Sequence, residues 1–147
     1  MTFKHSILLR PQRRRTCSLR RGTALIEFAI CLVVFIWLTY GMTEWGYLFF
    51  IKNTAEGAAR EGARAAIPAG ATESSVTTAV DAQLEAAGLS VSAFNIITTP
   101  TDISTCSVGS DVTVEVQTTW GQVGGAFVYF LGPSKTITGI SVMRKEG

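Results

Sequence analysis

The chain has 147 residues, room for one modest domain and an extra segment, and is 47% apolar with only 16% charged residues. Its net charge of +2 hides an asymmetry: residues 1–22 hold seven of the 13 basic side chains and none of the 11 acidic ones, so they carry +7 and the rest −5. The three cysteines (Cys17, Cys31, Cys106) lie in different surroundings, so no structural disulfide is expected; with the single histidine (His5) they leave little for a zinc site, and with no histidine in the distal domain no nucleophile–base pair, enzyme or cofactor is expected.

Residues 1–22 read as a basic, unstructured cytoplasmic leader. They run directly into an apolar stretch, so the positive-inside rule accounts for them better than nucleic-acid binding does. Thr23 to Ile51 contains two charges, Glu27 and Glu44, and Phe28 to Thr43 contains none. A span needs about 20 mostly apolar residues, and this stretch supplies them. A secretory signal peptide is the first rival. Its apolar region is shorter and ends in a small-x-small site, whereas bulky aromatics follow here, so a retained anchor is expected. Tyr40, Trp45 and Tyr47 are expected to form an outer interfacial belt, with the head of Glu44 in water.

The helical pattern continues beyond the apolar run. Ala55, Ala58, Ala59, Gly62, Ala63 and Ala66 recur at helical spacing as a stripe of small residues, and Pro68 and Gly70 end it. One helix is therefore expected over about 23–66. Glycines 41, 46, 57 and 62 are places where it can bend or pack closely. Glu56 and Arg60 stand in the favourable i,i+4 order. Arg60, Glu61 and Arg64 are a candidate partner-contact motif, against the plainer reading of a solvated helix face.

A second helix is expected over 73–87, capped by Thr72 and closed at Gly88, with Val76, Ala79, Val80, Leu84 and Ala87 as its apolar stripe. Val112, Val114 and Val116 alternate with Thr113, Glu115 and Gln117, a half-buried strand. Leu89 to Ile97 and Thr136 to Met143 are weaker strand candidates. Between strands, residues 121–133 form a Gly-rich loop whose aromatics, Phe127, Tyr129 and Phe130, either fill the core or meet a membrane or neighbour. The expected fold class is α+β: a long N-terminal transmembrane helix, a short second helix and a small antiparallel sheet covered by the small-residue stripe. The expected segments are the leader 1–22, the helix 23–66 and an extracytoplasmic domain 67–147.

Glu27 is the anomaly. A carboxylate inside a bilayer costs roughly 2.5–3.5 kcal/mol on insertion scales and normally has a partner. Arg20 and Arg21 are one candidate. The other arises if the chain is cut between Gly22 and Thr23: the new α-amino group of Thr23 then lies four residues before Glu27, on the same helix face. That cut also removes all seven leader charges.

The basic leader, Gly22, Thr23, the Glu27–Phe28 pair and the long apolar helix together resemble the processing site of type IV prepilins, and the Glu–Phe pair is similar to that of the tight-adherence (Flp, or Tad) branch. Ala24 to Ala66 resembles the TadE-like pseudopilins more closely. It has Gly41, Glu44 and Gly46 in a Gly–x–x–Glu–x–Gly turn and Ala58 to Arg64 as "AAREGAR"; the ending "ISVMRKEG" is similar to that family's last strand. The resemblance implies a pilin-like fold and a non-catalytic minor subunit. That subunit would support assembly of a Flp fibre for surface attachment and biofilm formation. It implies an inner-membrane location with the N-terminus cytoplasmic and a prepilin peptidase acting at Gly22–Thr23. The partners it implies are other pilin-like subunits and the pilus membrane platform, with no nucleic acid and no small-molecule substrate. Two other readings stay open: an unprocessed anchor whose loops near Gly109 and Gly121–Gly132 bind a ligand, and a secreted domain with an unusual signal peptide.

Overall fold

The structure, a computed structural model, describes residues 19–125 and 131–146. Most of the basic leader and the aromatics Phe127, Tyr129 and Phe130 lie outside the described residues. The chain divides into two compact units at Leu38/Thr39. The division falls inside one 48-residue helix, α1 (Leu19–Ala66). This helix ends where its sequence pattern stops, but it begins four residues before Thr23, so the last residues of the basic segment are helical.

In the first unit, the described residues are helix and its side chains are open to solvent: Leu25, Phe28 and Phe35 are 65–72% exposed. The helix from Gly22 to Ala66, which begins in this unit, is by length and composition long and apolar enough to cross a membrane.

The second unit holds the remainder of α1 and everything after it. Helix α2 (Glu73–Ala86) starts at a reciprocal cap: the Thr72 hydroxyl accepts from the Ser75 amide at 3.3 Å, and the Ser75 hydroxyl accepts from the Thr72 amide at 3.2 Å. It stops in a Schellman-type end, with the Leu89 amide donating to the Leu84 carbonyl at 3.0 Å and Gly88 at φ +74°. That end takes up Leu89, and a 3₁₀ turn takes Val91–Ala93. Strand β1 therefore covers Asn95–Thr99 rather than starting at Leu89, a correction to the sequence expectation. Strand β2 is Asp111–Thr119 and β3 is Thr136–Arg144; a helical turn, α3 (Trp120–Val123), follows β2 directly. The sheet has the order β1-β2-β3 and is antiparallel throughout, with Ile97, Glu115 and Ile140 in one row.

The alternation in β2 does what its spacing predicts. Val112, Val114 and Val116 are buried, and Thr113, Glu115 and Gln117 are half-buried on the other face. The cover is the small-residue stripe of α1: Ala55, Ala58, Ala59, Ala63 and Ala66 are all fully buried in one cluster with Val76, Val80 and Leu84 of α2 and the β2 valines. Two glycines set how close these elements come. A Cβ on Gly62 would stand 2.6 Å from Val80 Cγ2 and 3.2 Å from Val114 Cγ1, so α1, α2 and β2 meet there. A Cβ on Gly139 would stand 2.4–2.5 Å from the backbone of Ala55 and Glu56, so β3 passes against the bare main chain of α1.

Candidate functional site

Three groups on α1 carried the sequence argument, and the structure treats them differently. The first is Gly22, Thr23, Glu27 and Phe28. Gly22 and Thr23 lie in the opening turns of α1, and a Cβ on Gly22 would meet nothing within 4 Å. Glu27 is exposed and forms no ion pair among the described residues; Phe28 beside it is 65% exposed. The surroundings are apolar side chains directed outward, so the carboxylate is a polar group on a surface that water does not suit.

The second group is Arg60, Glu61 and Arg64. Arg60 pairs with Glu56 at 3.6 Å, and Arg64 Nε donates to Glu61 at 3.2 Å. The Arg64 hydrogen bond holds the Glu61 carboxyl below its ordinary range, and in return Glu61 raises Arg64. All three charges sit on the face of α1 opposite to Ala58, Ala59 and Ala63, open to solvent. Exposed pairs of this kind contribute little to stability.

The third group departs from expectation. Glu44 does not hold its head in water: it is fully buried. Its Oε1 accepts from the indole Nε1–H of Trp120 at 3.3 Å and from the backbone N–H of Leu131 at 3.1 Å. Trp120 follows β2 and Leu131 precedes β3, so one carboxylate holds both ends of the β2–β3 connection to α1. The correction has a physical cause: a buried carboxylate needs donors, and the connection supplies two. Tyr47, one turn on, is likewise not a belt residue facing solvent; its ring packs on Trp120 with centroids 5.8 Å apart. Trp45, on another face, is 50% exposed. Around this tie Ile51, Trp120 and Ile137 form a second buried cluster, flanked by Leu48 and Leu131.

Sequence reasoning missed this tie, though a signal was present. Extending the small-residue stripe backward from Ala55 by threes and fours passes Ile51 and Leu48 and lands on Glu44. Trp120, a residue with one donor to satisfy, was the other half. Lys145 was also missed: it is buried, and its ammonium donates to the carbonyl of Ile103. Among the described residues, no three His, Cys, Asp or Glu side chains gather as a metal site. The half-buried Cys106 donates its thiol to the Asp102 carbonyl at 3.4 Å.

Neither the curated proteins nor the solved structures contain a match to the chain. Residues 22–64 do match a family model, that of the TadE-like protein. The match begins at Gly22, takes in Glu27 and Glu44, and ends at Arg64, the last residue of the paired-charge motif. The segment similar to the TadE-like family thus runs from the exposed apolar part of α1 into the buried stripe.

Proposed function

We propose that this protein is a minor pilin-like (pseudopilin) subunit supporting assembly of a tight-adherence (Flp) pilus. It is held in the bacterial inner membrane by α1, with its N-terminus cytoplasmic and its α+β domain outside. The observation that carries the reading is the coincidence of the TadE-like match with the exposed apolar part of α1. The role is structural rather than catalytic, in keeping with a pilus-associated family. Other pilin-like subunits and the membrane platform of the pilus machine are its partners.

In this reading a prepilin peptidase cuts between Gly22 and Thr23. The bond lies at the helix end, where turns open readily. The cut gives Thr23 a free ammonium four residues from Glu27, in place to neutralise it within the chain or on a neighbour. The leader charge is then gone and the carboxylate has a partner amine, so the helix tip is free to pack into a bundle.

The test is the intact mass of the protein from membranes with and without the peptidase, together with fibre assembly by Glu27→Ala. Loss of residues 1–22 only when the peptidase is present, and loss of fibres in the variant, are expected. A full-length mass in both strains would sink the processing step. Normal fibres from a stably inserted Glu27→Ala would instead favour an anchored binding module, for which Glu27 is incidental.

A further inference from the structure

Beside the second core cluster lies a groove of about 350 Å³, lined by Trp45, Phe49 and Lys52 of α1 and by Leu131, Lys135 and Ile137. It lies wholly within the second unit. Its α1 wall is aromatic: the Trp45 and Phe49 rings are 6.3 Å apart, and both residues are about half exposed. Its other feature is two ammonium groups. Lys52 reaches Glu56 only at 3.9 Å, in an open pair. Lys135 is exposed and forms no ion pair among the described residues. Its main chain is fixed, because its carbonyl accepts from the Trp120 amide at 2.7 Å.

Residue counting places this groove at a particular depth. A hydrocarbon core of about 30 Å takes about 20 helical residues. Counted from Leu25, the twentieth is Glu44, so Trp45 to Phe49 fall in the headgroup layer on the outer side, about 5–7 Å thick, and Lys52 follows at its water edge. Exposed Trp and Phe with adjacent Lys are the side chains that suit this layer.

We propose that the groove binds an anionic glycerophospholipid, represented by phosphatidylglycerol. Its phosphodiester lies between Lys52 and Lys135, and the first carbons of an acyl chain lie on Trp45 and Phe49. Lys135, with no ion pair among the described residues, and Lys52, whose Glu56 partner is 3.9 Å away and also pairs with Arg60, suit a net negative headgroup better than a zwitterionic one. The aromatic wall suits a lipid and not a free phosphate, which has nothing to place there. Bound lipid would cover the exposed apolar surface beside the Glu44 tie. The inference rests on the membrane-anchor reading.

The experiment uses the full chain in nanodiscs of mixed phosphatidylcholine and phosphatidylglycerol, with the lipid held after detergent trimming read by native mass spectrometry. Failure of the chain to enter the discs at all would remove the anchor reading itself, and with it the site. With insertion, phosphatidylglycerol should be enriched over its share of the disc. Lys52→Gln and Lys135→Gln should each lower the enrichment by about fivefold, the weight of one basic residue at an anionic surface. Arg144→Gln, at the far end of β3, should leave it unchanged. Both lipids held at their bulk ratio would overturn the proposal. So would an equal loss in Arg144→Gln, which would mean diffuse charge attraction. Two copies per disc without enriched lipid would assign the groove to a second chain and also overturn it.

Discussion

The two parts of α1 follow opposite rules within one unbroken helix. Before Leu38 the large side chains, Leu25, Phe28, Ile36 and Trp37, are the exposed ones. After Ile51 the smallest side chains, alanines and one glycine, are the buried ones. Apolarity alone does not separate these parts, since both lack charge along the relevant face. Side-chain size does. A helix that meets fluid lipid gains from large apolar groups, which fill space without a fixed partner. A helix that meets a sheet and another helix at backbone distance must shed its side chains to let them approach. Glu44 lies where one rule gives way to the other, and it faces the protein side.

The sharpest way to break this comparison is to put bulk where the small-residue rule holds. Gly139→Val places side-chain atoms into the Ala55–Glu56 backbone, which has no rotamer to yield. A loss of about 3 kcal/mol is expected, seen as an early thermal unfolding of the second unit by circular dichroism. A melting temperature near the parent's would mean that β3 does not press on α1.

Glu44→Ala comes next. It strands the Trp120 indole and the Leu131 amide as buried donors without their acceptor, at a cost of about 2–3 kcal/mol. Glu44→Gln keeps an acceptor oxygen and should lose less. Near-ultraviolet circular dichroism of the tryptophans separates them, because the alanine variant should blunt the Trp120 signal more. Equal stability for all three proteins would return Glu44 to the role of an interfacial residue in water.

A pair of glycines five positions apart then sharpens the rule within α1. Gly62→Ala should destabilise by about 1 kcal/mol, since overpacking against Val80 and Val114 outweighs the gain in helix propensity. Gly57→Ala meets nothing within 4 Å and should stabilise by up to about 1 kcal/mol. Shifts of the same sign would show that backbone propensity, not packing, governs this stretch.

The smallest effect belongs to the exposed face. Because Arg64 lowers the Glu61 pKa, the pair stabilises the fold above the ordinary value of 4.5, and the contribution fades as pH falls through the lowered one. Arg64→Ala should therefore melt only slightly below the parent at pH 7, with the gap closing on acidification. A gap that widens in acid would give Glu61 another partner.

Much of this was legible because local physics decided it. The β2 valines needed only the period of a strand, and α2 carried its own cap and its own glycine stop. The small-residue stripe announced a close neighbour without saying which. Strand β1 was misjudged because apolar Leu89 and Val91 look like strand residues until the Schellman end of α2 claims the first and a 3₁₀ turn the second. Glu44 was misjudged for a different reason. Its donors lie 76 and 87 positions away, and no local window contains them. The groove residues were hidden likewise: Lys52 and Lys135 are unremarkable surface lysines until β3 folds back beside α1.

Lys145, buried with its ammonium on the Ile103 carbonyl, has a consequence for how this molecule comes into being. The Lys145 and Glu146 amides also donate, to Ser110 at 2.9 Å and to Ile67 at 3.2 Å, so the tail joins the turn before β2 and the end of α1. A ribosome adding about 5–20 residues per second needs roughly 4–16 s to go from Ala66 to Lys145. Throughout that interval the alanine stripe has been made and β3 has not. The nascent chain must wait, with its most closely packing surface bare, for β3 to be synthesised before this core can close.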